Sequence, residues 1–213
     1  MNVVVCTGHD PNYADLAAIT LPSVKAYCKK HGYFLLYDPA RNDKDACKVS
    51  LYQQAYSDGR FGPEDVFCWI DTDAVLVNSE RRIENIVYEH MPRWCHYLIG
   101  CDVNGINSGF FIARFSPEAA LFMNVANTVS VVSGWADQIG LAQTSLMEPH
   151  RSIYKEVPGA VFNCNDYAEK GWALGEYGGY INEFVPGSLV FHAAGIEEPR
   201  RSELLKKYAE MAK

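Results

Sequence analysis

The sequence predicts a single α/β domain whose central, mostly parallel sheet is flanked by helices. Two observations carry this reading. Up to Ile70, short β-branched or aromatic runs alternate with longer segments of helical spacing, in the order strand, helix, strand, helix, strand, which is the signature of βαβ units. A chain of 213 residues with 48% hydrophobic and 21% charged side chains also suits one self-sufficient core, which would bury roughly 70% of the unfolded surface.

Val3-Val4-Val5-Cys6-Thr7 is a buried first strand that ends at Gly8 in a loop. A helix follows from Asn12 to His31. Leu16, Ile19, Val24 and Tyr27 keep close to a three-to-four-residue period, Pro22 disturbs it, and Gly32 stands where a C′ residue belongs. Tyr33 to Tyr37 is the second strand, Lys44 to Ser57 the second helix, and Val66 to Ile70 a compact buried strand. Then come Asp71-Thr72-Asp73, the apolar stretch Ala74 to Val77, and a helix from Ser79 to His90. Tyr97 to Cys101 and Phe110 to Ala113 flank a loop from Asp102 to Gly109. Ser116-Pro117-Glu118 opens a helix to about Val129, with Pro at the first helical position, and a further helix covers Trp135 to Leu146. The stretch from Pro149 to Pro186, rich in Gly, Tyr and Asn, reads as loops with short strands. Leu189 to His192 is a last strand, and Pro199 to Lys213 a charged amphipathic helix.

Charge and cysteine usage exclude several functions. Nineteen Lys+Arg against 26 Asp+Glu give a net charge of −7, which argues against the basic face that a nucleic-acid partner requires. A polyanionic ligand would need a local device such as a metal ion. The seven cysteines (Cys6, Cys28, Cys47, Cys68, Cys95, Cys101, Cys164) are scattered, odd in number and without C-x-x-C spacing, so they read as reduced, buried thiols. With no signal-peptide pattern, no apolar run of about 20 residues and no N-x-[ST] sequon, the expectation is a cytoplasmic protein without an integral membrane segment.

The chemistry concentrates at Asp71-Thr72-Asp73. Ligands of parallel α/β sheets bind outside the carboxyl ends of the strands, and this pair directly follows five apolar strand residues. The i, i+2 spacing can send both carboxylates to one side, where a hard divalent cation would be held. Without further context, capping of a turn by Asp71 and plain solvation of Asp73 would explain a lone D-x-D.

Phe67 to Val77 resembles the D-x-D region of nucleotide-sugar-dependent glycosyltransferases with the GT-A fold, in particular the retaining families 34 and 8. Four more segments agree in chain order. Lys48 resembles the basic residue opening the helix before the D-x-D strand, Asn107-Ser108-Gly109 the family's Asn-x-Gly, Asp137-Gln138 its Asp-Gln element, and His192-Ala193-Ala194-Gly195 its His-x-x-Gly. The compactness and the detail of Ile70 to Asp73 are also similar to the capsid-glycosylating enzymes of large alga-infecting DNA viruses.

The resemblance implies residues 1–101 as a nucleotide-binding half including the D-x-D, 102–198 as a sugar and acceptor half, and 199–213 as a terminal helix. It implies Asp71, Asp73 and His192 as ligands of Mn²⁺ or Mg²⁺, with the imidazole favouring Mn²⁺. Thr7, Gly8 and His9, with Tyr13 or Tyr37 to stack on the base, would form the base and ribose pocket of a UDP-sugar, Lys48 would contact a phosphate or the sugar, and Thr72 and Gly195 would also bind the donor. Asp137, Gln138, Asn107 and Asp102 would face the sugar and its reaction with a glycan or glycoprotein acceptor. The segment Trp172 to Tyr180 would form part of the acceptor platform. Where these families often place a Lys after His-x-x-Gly, this chain has Arg200 and Arg201. The missing anchor suits a viral or bacterial enzyme, or one domain of a longer chain. Two rival readings stay open: a haloacid-dehalogenase-like phosphohydrolase with Asp71 as nucleophile, and a nucleotide-sugar or glycan-binding module without turnover.

Overall fold

Alternation of side chains along the strands builds the layers of the molecule. The structure, a computed structural model, describes residues 1–39, 44–102, 105–133, 137–166 and 183–212. In β1 (Val3–His9), Val3 and Val5 enter the core on one face of the sheet and Val4 and Cys6 on the other. β3 (Val66–Ile70) and β6 (Gly105–Arg114) repeat the pattern, with Cys68 and Ile112 on the first face and Phe67 and Phe111 on the second. Helices α1 (Ala14–His31) and α3 (Ile83–His90) cover the first face. Helices α2 (Lys44–Ser57), α4 (Pro117–Ser133) and α5 (Asp137–Ser145) cover the second. Because both faces are buried, the strands read as continuous apolar runs.

With β2 (Phe34–Pro39), β5 (Tyr97–Asp102) and β7 (Tyr154–Pro158), the sheet order is β2-β1-β3-β6-β5-β7. β1 is parallel to β2 and β3, β5 is parallel to β7, and β6 is antiparallel to both β3 and β5. One strand of six therefore runs against the rest. β4 (Ala74–Leu76) and β8 (Val190–His192) form a separate antiparallel ribbon. Helix α6 (Arg200–Met211) packs on it through Leu204, Leu205 and Tyr208, the last stacked on Phe191 with ring centroids 3.7 Å apart.

Helix α2 and strand β3 have the expected bounds, and Gly32 ends α1 at φ 71°, a conformation that favours glycine. Several expectations are corrected. β1 continues through Gly8 and His9, which pair with Asp38 and Pro39, so these residues are strand and not loop. Pro11–Tyr13 form a 3₁₀ turn capped by the Asp10 carboxylate, and the α-helix starts only at Ala14. α3 starts at Ile83, not Ser79, because Asn78 Oδ1 accepts from the Glu80 and Arg81 N–H groups and holds a turn there. Gly105 to Gly109 are strand, not loop: Gly105 to Asn107 pair with β5 past a register shift at Ile99 and Gly100, and Ile106, Asn107 and Ser108 are buried. α4 begins as expected, with Ser116 Oγ accepting from the Ala119 N–H, but runs on to Ser133. Trp135, where the next helix was expected to start, and the segment Trp172 to Tyr180 lie outside the described residues. All seven cysteines are buried and free, and among the described residues no helix is long and apolar enough to cross a membrane.

Candidate active site

The Asp71-Thr72-Asp73 turn leads the chain out of the main sheet into the β4–β8 ribbon. The Asp71 N–H donates to the Gly109 carbonyl (2.8 Å), the Ala74 N–H to the Asp71 carbonyl (3.1 Å), and Thr72 Oγ1 to the Gly8 carbonyl (2.8 Å). Thr20 Oγ1 of α1 donates to the Thr72 carbonyl (2.8 Å). In the ribbon Ala74 pairs with His192, and the Ala193 N–H donates to the Asp73 carbonyl (2.9 Å). This pairing brings a histidine 119 residues downstream to 3.2 Å from Asp73 Oδ1.

One donor atom from each of Asp71, Asp73 and His192 lies within 4.8 Å of the others. Two hard oxygens and one imidazole nitrogen fit Mn²⁺ or Mg²⁺. Asp71 Oδ1 is already used, accepting from Trp69 Nε1 (2.5 Å) and facing Lys48 Nζ (3.1 Å), which turns Oδ2 free among the described residues. Burial raises the Asp71 carboxyl above its ordinary range, with Asp73 adding repulsion against the pull of Lys48. Burial also acts to raise Asp73, but the His192 contact outweighs it and holds Asp73 low. Correspondingly, burial acts to lower His192 while Asp73 raises it, with the net shift upward. Two carboxylates and an imidazole this close together could hold a cation.

Lys48, on α2, is buried and holds the second element of the site. Its Nζ lies 2.5 Å from Asp137 Oδ2 and 3.1 Å from Asp71 Oδ1, donates to Ser108 O and Oγ (3.1 Å each), and sits 5.4 Å from the Trp69 ring centroid. Burial would lower its pKa, but Asp137 and Asp71 push it well up. In turn Lys48 overcomes burial to hold the Asp137 carboxyl low, with further donors from Ser108 Oγ and the Gln138 N–H. Asp137 thus starts α5 as a capping residue and an ion-pair partner at once. The side-chain amide of Gln138, half-buried, has no hydrogen-bond partner among the described residues.

Asn107 is buried in β6, where its Oδ1 accepts from the Gly109 N–H (2.9 Å) and Asn163 Nδ2 (2.8 Å), and its Nδ2 donates to Asp102 Oδ2 (2.8 Å). That leaves one amide hydrogen for a ligand. Gly109 has a separate duty. A β-carbon there would overlap Cε1, Nδ1 and Nε2 of His192, so the glycine is the space into which the ring lies. Gly109→Ala is expected to displace that ring and weaken Mn²⁺ binding roughly 10- to 100-fold. Calorimetric titration of Mn²⁺ checks this, and unchanged affinity would show that the ring moves without cost.

At the carboxyl end of β1, Gly8 permits close packing, since a β-carbon would overlap Cys47 Sγ. Thr7 is buried, and His9 Nε2 shares a hydrogen with Tyr37 Oη at 2.8 Å, with ring centroids 5.8 Å apart. Tyr13 lines an open cleft with Asn12, Leu16 and Arg201, between the starts of α1 and α6. Arg200 is exposed and paired with Glu203, whereas Arg201 donates Nε to the Ile196 carbonyl (2.6 Å) and lies near enough to Asp73 to help hold its carboxyl low. Gly195 turns the chain after β8 at φ 70°. Sequence reasoning missed Trp69, Ser108 and Asn163. Only the last had a signal, as one of two asparagines flanking Cys164.

No protein-family model and no curated protein sequence matches the chain. Solved structures do. A glycosyltransferase involved in the glycosylation of the major capsid of PBCV-1 superposes with a TM-score of 0.71 at 19% identity, over 97% of this chain and 100% of the other. The chain has the GT-A fold. The galactosyltransferase LgtC, solved with donor and acceptor sugar analogs, matches 98% of this chain and 95% of its own (TM-score 0.59, 11% identity). The glycosyltransferase GlyE of Streptococcus pneumoniae matches 98% of this chain and 61% of its own (0.57, 13%). In this GT-A fold, Asp71 and Asp73 sit at the carboxyl end of β3 beside the switch to the antiparallel β6, where open α/β sheets take ligands.

Proposed function

We propose that the chain is a metal-dependent glycosyltransferase that moves a sugar from a nucleoside diphosphate sugar to a hydroxyl of a glycan or glycoprotein. The observation that carries this reading is the convergence of Asp71, Asp73 and His192 at the end of β3 in a GT-A fold. A divalent cation held there, Mn²⁺ or Mg²⁺, supplies Lewis-acid stabilisation to the departing diphosphate. The chain's own residues do the rest. Arg201, at the mouth of the cleft next to Tyr13, is the cation placed to grip a diphosphate, and Arg200 is not. The His9–Tyr37 pair and Tyr13 offer ring faces for a base, with UDP as the favoured nucleotide on motif resemblance. Gln138, with its amide unpartnered, meets the sugar, while Asp137 positions it through the start of α5.

Retention of anomeric configuration follows the resemblance, and the site supports it. An inverting enzyme needs a carboxylate base beside the acceptor hydroxyl. Asp137 is held low by Lys48, which makes it a poor base, and Asp102 Oδ2 is occupied by the Asn107 amide. The phosphohydrolase alternative needs late acidic residues after another strand, where β8 instead delivers His192. The seven buried free thiols support a cytoplasmic setting.

The test is a panel of nucleoside diphosphate sugars with and without Mn²⁺. Metal-dependent release of nucleoside diphosphate from one donor is expected, with the product anomer assigned by NMR as retained. No release from any donor would sink the enzyme reading in favour of a binding module, and an inverted product would overturn the stereochemical one.

A further inference from the structure

Asn163 is buried in the stretch between β7 and β8, and it touches both His192 of the cation site and Asn107. The Asn163 N–H donates to the Gly159 carbonyl (2.6 Å), the Cys164 N–H to the Val190 carbonyl (3.1 Å), and the His192 N–H to the Cys164 carbonyl (2.7 Å). These bonds lash the segment alongside β8, so the Asn163 side chain is fixed relative to the histidine. Its Oδ1 stands 3.0 Å from His192 Nδ1, and its Nδ2 donates to Asn107 Oδ1 at 2.8 Å.

The amide cannot turn over. Asn107 Oδ1 also accepts from the Gly109 N–H, and Asn107 Nδ2 is spent on Asp102, so Asn107 presents an acceptor to Asn163. Asn163 must answer with its NH₂, which leaves its carbonyl for His192. A carbonyl at Nδ1 requires a proton there, and a neutral ring with Nδ1–H carries its lone pair on Nε2. Nε2 is the atom that faces Asp73 and the carboxylate pair.

We infer that Asn163 is a positioning residue: it selects the Nδ1–H tautomer of His192 and, through Asn107, ties the cation site to the Asn107–Asp102 pair on the sugar side. The inference rests on the proposed cation site and adds a residue to it. A ligating histidine whose other nitrogen is so held typically loses 10- to 100-fold in metal affinity when the partner is removed. Asn163 is not one of the three donor residues, so it acts on the cation site through His192.

Two measurements on the whole chain test it. In the unmodified protein saturated with Mg²⁺, a diamagnetic cation, ¹⁵N NMR of the His192 ring is expected to show the proton on Nδ1, facing Asn163, and none on Nε2, which faces the cation site. A neutral ring protonated at Nε2 would overturn the inference whatever the chain's activity. Second, Asn163→Ala is expected to bind Mn²⁺ 10- to 100-fold more weakly by calorimetry and to show mixed ring tautomers, with cooperative unfolding retained. Native affinity with an unchanged Nδ1–H ring would overturn it as well. If Asn163→Ala does not fold, the ring measurement on the unmodified protein decides alone. If the unmodified protein binds no Mn²⁺ while His192 carries Nδ1–H, the cation reading fails and the tautomer assignment stands, so the two failures are distinguishable.

Discussion

Asp73→Ala is expected to abolish metal-dependent donor binding while leaving the fold intact. The main-chain contacts of this turn do not need the carboxylate: the Asp73 carbonyl still accepts from the Ala193 N–H, and β4 still pairs with β8 from Ala74 onward. What is lost is one of two hard oxygens and the partner of His192 Nε2. Cation stabilisation of a leaving diphosphate is worth several kcal/mol, so transfer should fall by roughly 10³-fold or more. Calorimetry of Mn²⁺ and donor against the variant, with a thermal melt as control, checks this. Unchanged donor affinity in the presence of Mn²⁺ would refute the role of Asp73.

Lys48→Met is expected to be the most destabilising of the site substitutions, at about 3 kcal/mol, the lower end of the range for leaving a buried charge without its partner. Two carboxylates lose one cation, since Asp137 and Asp71 both face Lys48. The pH dependence carries a definite sign. In the native protein Asp137 titrates below its ordinary range, so its contribution is present above about pH 3.9 and is lost as pH falls through its lower folded value. Lys48 titrates above its ordinary range, so its contribution is present below about pH 10.4 and is lost as pH rises through its folded value. In the variant, burial is no longer opposed by Lys48 and pushes both carboxyl groups up, so they oppose folding when ionised. The deficit is therefore full at neutral pH and shrinks as pH falls through the variant's raised carboxyl values toward about pH 4. Urea unfolding of both proteins at pH 7 and pH 4 measures it, and a deficit equal at the two pH values would show that Lys48 acts by packing rather than charge.

Local chemistry explains which parts of the molecule were legible before the fold was seen. The βαβ start was readable because both faces of the sheet are covered, making Val66 to Ile70 one uninterrupted apolar run. The Asp-x-Asp was readable because its place after that run is a local fact. Gly105 to Gly109 were misread as loop because Asn, Ser and Gly are ordinary turn residues, and it takes the pairing of Gly105 to Asn107 with β5 to make the stretch the start of β6. The choice between Arg200 and Arg201 could not be made from adjacent letters, since one faces Glu203 and the other the cleft.

The sequence alone determined the class of fold and the carboxylate pair with its candidate histidine, and it set the expectation against a basic nucleic-acid face. These depend on composition, periodicity and motif order, which are carried by near neighbours along the chain. The tertiary structure alone decided that Lys48 spends its charge on Asp71 and Asp137, that Gly109 is the berth of the His192 ring, and that Asn163 holds the ring's far nitrogen. Each of those pairs joins residues from 23 to 89 positions apart, and no local pattern encodes which buried polar atoms will meet.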